Sequence, residues 1–188
     1  PSELQCAVAR RRALPPSVSA AIAEVGSAAA ALELIENSDA ALAPFSWTRI
    51  VERHGHLAAV REAMLALPDL PAATRLALAD KLSHALTQFV VGRGWLSAAR
   101  AESAAGEALA RSAVAVAGDA AAGQMPGLMR HLRETGQLTA GLILRALLSG
   151  HLSMVHHALV ELSGLPERRV AALLHGGRSA GLEALLRR

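Results

Sequence analysis

Tyrosine is absent from this chain of 188 residues, and only two Trp and two Phe stand in for the aromatics, 2% of the whole. Strands rely on aromatic and β-branched side chains, so this scarcity argues against a sheet protein. Cysteine is nearly missing as well. Cys6 alone can form neither an intrachain disulfide nor a Cys-based zinc cluster, which fits a reducing cytoplasm. Lysine occurs once, at Lys81. Strong charge of one sign is lacking too: 19 basic against 16 acidic residues leave +3, a weak footprint for a dedicated nucleic-acid binder. Mean hydropathy is positive, at +0.31. Even so, no uncharged apolar run approaches the ~20 residues of a spanning helix, so no membrane partner is expected. No signal-peptide pattern opens the chain. It starts at Pro1 rather than Met, so upstream residues, with any targeting information they carry, are expected to precede it.

What remains is Ala, Leu and Val, 52% apolar in all. These residues favour closely packed helices, and an all-α fold is predicted. The first half repeats loosely: AVARRRALPPSVSAAIAEVG from Ala7, ALELIENSDAALAPFSWTRIVERHG from Ala31 and VREAMLALPDLPAATRLALADKLS from Val60. Each reads as a short apolar helix, a proline-bearing loop and a second helix. Pro15-Pro16, Pro44 and Pro68 with Pro71 mark the starts of second helices, because proline suits a first turn but not a helix interior. The units are spaced by about 24 and about 29 residues, within the range of helical solenoids. Val18, Ile22 and Val25, and then Leu78 and Leu82, mark expected core stripes. Residues 1–92 are thus read as degenerate hairpin repeats and 93–188 as a helical-bundle half of one domain. In the second half Gly136, Gly150 and Gly164 are expected to close successive helices as left-handed caps. The last two helices are expected to begin at Pro166 and near Ser179.

The Pro-punctuated units ARRRALPPSVSAAIAE and ALPDLPAATRLALADKL, followed by LTAGLILRALLSGHLSMVHHALVELSGLPERRVAALLHGG, resemble the bacterial family of unknown function 2336 along nearly the whole chain. The resemblance implies a HEAT-like helical-repeat protein, from a family found mainly in alphaproteobacteria. It carries no activity, and so no functional residues, to this chain.

Chemistry has few footholds in the sequence. No Gly-rich phosphate loop, nucleophile elbow or HExxH helix is present, so no catalytic residues and no cofactor are expected. On a helix that advances about 100° per residue, His151 diverges from both His156 and His157. With Leu152, Val155, Leu159 and Leu162 read as the core stripe, His156 falls at its border and His157 outside. His157 and Glu161 share a face but make an incomplete set. His54 and His56 flank Gly55, and His84, His131 and His175 stand apart, so no metal is expected. The segment LVELSGLPERRV has the spacing of a helix-turn-helix. In that reading the pair 154–175 would present Glu167, Arg168 and Arg169 to DNA. Plain helix-start chemistry accounts equally for Pro166-Glu167. The preferred reading is a non-enzymatic protein–protein interaction or regulatory scaffold module, with DNA binding as the alternative. Its partner is another protein or a second copy in a homodimer. Arg10, Arg11, Arg12, Trp47 and Trp95 are the candidate contacts, since Arg and Trp dominate binding hot spots.

Overall fold

Proline sets the helix starts of the first half. The computed structural model describes residues 2–175, and these residues are helical with no strand. The first three pairs are α1 (Ser2–Ala9) with α2 (Pro16–Val25), α3 (Ala28–Glu36) with α4 (Pro44–His54), and α5 (Ala58–Leu65) with α6 (Ala72–Gly92). Pro16 and Pro44 occupy the first turns of α2 and α4, and Pro71 precedes α6. After a turn come α7 (Ala98–Asp119), a short 3-10 turn (Ala122–Gln124), α8 (Met125–Glu134), α9 (Ala140–Leu148), α10 (Leu152–Ser163) and α11 (Glu167–His175). The helix expected near Ser179 lies outside the described residues. No described helix is long and apolar enough to cross a membrane.

The contacts gather into two units, 1–109 and 110–188, divided within α7. In the first unit each helix packs on the helix two places ahead: α1 on α3, α2 on α4, α3 on α5, and α4 on α6. Stacked helical hairpins produce this pattern, because one hairpin alone cannot cover its apolar face. The core runs through the pairs as Leu14, Ile22, Leu34, Ile50, Val60, Met64 and Leu78, with Ala9, Ala23, Ala30 and Ala31 fully enclosed. Polar groups of each layer cap the one before it. Arg53 Nη1 donates to the Ala23 carbonyl at 3.0 Å, and His54 Nε2 lies 3.3 Å from that of Gly26, so the end of α2 is satisfied by α4. Arg61 Nη1 donates to the Gly55 and His56 carbonyls at 3.0 and 2.8 Å, closing α4 in turn. Ion pairs join the same layers on the outside, Arg49 with Glu24 at 2.7 Å and Arg10 with Glu33.

His54 gives this capping a pH signature. Burial is the main cause holding its pKa below 6.5, only partly offset by the Gly26 carbonyl, with Arg53 and His56 nearby adding repulsion. A histidine harder to protonate when folded contributes full stability above its unfolded pKa and loses it as pH falls below that value. We expect His54→Gln to flatten the decline in unfolding free energy between pH 7.5 and 5.5, read by urea titration at each pH. An unchanged slope would show that His54 is not the titrating cap.

The second unit is organised around α10, which packs on α8, α9 and α11. Leu128, Met129 and Leu132 from α8, Ala146 from α9, and Met154 and Ala158 from α10 are fully or almost fully enclosed. Gly136, Gly150 and Gly164 all have positive φ, as expected of left-handed caps. Gly164 (φ 66°) is the one that matters for a site, because it turns the chain so that α11 returns along α10.

Several expected stripes are displaced. Val25 and Leu152 are exposed, at 69% and 64%, and Leu82 and Leu162 are exposed too. In their helices Ser19, Ile22 and Ala23, or Met154, Val155, Ala158 and Leu159, face inward instead. Small side chains allow the closest approach of two backbones, so the buried faces rotate towards Ala and Ser and leave some larger residues outside.

Candidate functional site

The arginine turn lies where α1 ends. Asn37, just beyond α3, donates through Nδ2 to the carbonyls of Ala9 and Arg11 at 2.7 and 2.9 Å, and so pins the turn to the next layer. Ala13 takes a left-handed φ of 51°, unfavourable for a residue with a Cβ. Arg11, Arg12, Ala13, Leu14 and Pro15 line a shallow pocket of about 330 Å³ there. Arg10 belongs to the scaffold, because its guanidinium grips Glu33 in a two-pronged pair. That pair raises the arginine pKa and lowers the carboxylate's, mainly through the hydrogen bonds themselves. Arg11 and Arg12 are exposed.

The two tryptophans part company. Trp47 is half-buried and packs against the core of the first unit. Trp95 is 67% exposed. Gly94, with φ 69°, reverses the chain after α6 so that Trp95 meets Phe89 edge-on, with ring centroids 5.6 Å apart. The Arg93 guanidinium joins this corner 5.3 Å above the centre of the Phe89 ring. Leu82, Leu86 and Phe89, all exposed, follow one another at i, i+4 and i+7, so they form a single apolar face of α6 that ends at Trp95. Phe89 is not among the residues that the sequence alone singles out. Its helical spacing to Leu82 and Leu86 is the available signal, but such spacing is ordinarily read as core.

The α10–α11 turn gathers polar groups that spacing along one helix keeps apart. His156 and His157 are both half-buried, with ring centroids 5.2 Å apart. His157 is therefore not left on the outside, as a stripe through Leu152 and Leu162 implies. Glu167 opens α11, and one ligand atom from each of His156, His157 and Glu167 lies within 4.8 Å of the others. His151 is elsewhere, its ring against Gly118. Glu161 pairs with Arg133 of α8 at 3.0 Å rather than turning to His157. Arg168 and Arg169 are exposed on the first turn of α11, whereas Val170 behind them is fully enclosed.

The family model described as an uncharacterised protein conserved in bacteria, DUF2336, matches residues 1–188. The chain belongs to the DUF2336 family. No curated protein and no solved structure matches this DUF2336 chain. Its candidate sites therefore rest on the geometry above. Of the residues singled out by sequence, Arg10, Arg11, Arg12, Trp95, Arg168 and Arg169 stand exposed in this DUF2336 protein, Arg10 with its guanidinium held by Glu33, and Trp47 is half-buried against the core.

Proposed function

We propose that this DUF2336 protein is a non-enzymatic protein–protein interaction module built on HEAT-like stacked hairpins. The carrying observation is the exposed Leu82–Leu86–Phe89–Trp95 face with Arg93 beside it. Monomeric soluble proteins rarely leave such faces bare, and aromatic residues with arginine are the usual anchors of an interface. The occupant that fits is an apolar helix face edged by a carboxylate for Arg93. A photo-crosslinking amino acid placed at Leu86 tests this in cells. A discrete protein adduct is expected, with a yield that falls at least about tenfold in a Phe89→Ala, Trp95→Ala double variant, the loss typical of hot-spot truncation. An undiminished adduct, or none, overturns the reading. Sedimentation of the purified chain tells whether the occupant is a second copy.

DNA binding by the α10–α11 pair is the second reading. It is favoured by the left-handed Gly164 turn, the enclosed Val170 that fixes the two helices together, and the exposed Arg168-Arg169. Glu167 beside them opposes phosphate. Anisotropy titration with random duplex at low salt decides it: binding lost in Arg168→Ala, Arg169→Ala supports the reading, and no binding removes it.

A further inference from the structure

We propose that His156, His157 and Glu167 form a binding site for one divalent transition-metal ion, with zinc as the probe, that clips the start of α11 to α10. This site lies in the second unit and is independent of the Trp95 surface. Two imidazoles and one carboxylate make a donor set that zinc and its neighbours accept, leaving a fourth position for water or a partner's ligand.

The groups are prepared for that role. His157 Nδ1 lies 2.8 Å from the Ser153 carbonyl oxygen. Only a protonated ring nitrogen can donate to a carbonyl, so this bond places the proton on Nδ1 and leaves the lone pair on Nε2, the kind of supporting contact that metal-binding histidines take. His156 Nε2 sits 3.4 Å from the Glu167 main-chain oxygen. A bond that long is weak, so turning the ring to present a lone pair gives up little. The Glu167 carboxylate stands in the first turn of α11, beside the positive end of the helix. Its neighbours Arg168 and Arg169 are exposed, so water and salt screen their charge. Glu161, the other nearby acid on α10, is engaged by Arg133.

Bonds of about 2.0–2.2 Å around a tetrahedral ion require donor atoms roughly 3.3–3.5 Å apart. The present limit of 4.8 Å must therefore close by about 1.5 Å. Rotation of the exposed Glu167 side chain and of the His156 ring, with His157 held by Ser153, is the movement this closure calls for.

The experiment uses the full chain stripped with a chelator and titrated with zinc chloride by calorimetry, with cobalt substitution read as visible absorption. One ion per chain, tetrahedral cobalt bands and a raised melting temperature are expected. His156→Ala, His157→Ala and Glu167→Gln should each lower zinc affinity at least about tenfold, whereas Glu161→Gln should leave it unchanged. Because Glu167 is exposed, Glu167→Gln keeps the fold and decides the matter if a histidine variant unfolds. Absence of binding at millimolar zinc, or equal affinity in all variants, overturns the proposal.

Discussion

Replacing Leu34 with Ala is expected to lower the unfolding free energy by about 2–5 kcal/mol, the range for emptying an enclosed leucine site. Leu34 has no exposed surface, and its helix α3 packs on α1, α2, α4 and α5. Four neighbouring helices hold the walls of the resulting void, so little collapse can compensate. Typical domains are stable by only about 5–15 kcal/mol, so a large share would vanish with one side chain. Urea titration should show the midpoint falling with an unchanged slope. Val25→Ala is the contrast: that side chain is largely exposed, and the change should stay within about 0.5 kcal/mol. A loss below about 1 kcal/mol for Leu34→Ala would contradict the packing of α3 described above.

In the second unit Ala158→Asp should be more damaging still, at least about 3 kcal/mol at neutral pH. Ala158 is fully enclosed on α10, the helix on which α8, α9 and α11 all pack. A carboxylate there would lose its water among Met154, Leu159 and other apolar neighbours. Burial raises a carboxyl pKa, so the penalty is full above the folded value and shrinks as pH falls through it and the group becomes neutral. Thermal melts at pH 8 and pH 5 should therefore converge towards the parent protein on the acid side. A variant as stable as the parent at pH 8 would show that α10 is not the centre of its unit.

The helical class, the three proline-punctuated hairpins and the left-handed glycines are legible in the sequence because each depends on local chemistry. Pro16 and Pro44 open helices in their first turns, and Gly136, Gly150 and Gly164 take the conformation other residues avoid. The buried faces are less legible. Large apolar residues are their natural markers, yet Ser19, Ala23 and Ala158 lie inside while Val25, Leu152 and Leu162 lie outside. In a chain so rich in alanine, the closest helix contacts are made by the smallest residues, and a pattern of leucines and valines points partly elsewhere. The same effect hides the exposed α6 face behind Leu78 and Leu82, of which only Leu78 is core. The gathering of His156, His157 and Glu167 depends on a turn between two helices, and counting residues along one helix does not register it.

The two-apart packing of α1 to α6 also bears on how the first unit comes into being. The main partners of each of these helices lie one or two places along the chain, so the bulk of the packing does not wait for distant ends to find each other. The entropy lost in closing each loop is correspondingly small, and mostly local contacts are the property shared by the fastest-folding small proteins. Assembly can begin at any of the three hairpins and spread outward in both directions, one neighbour at a time.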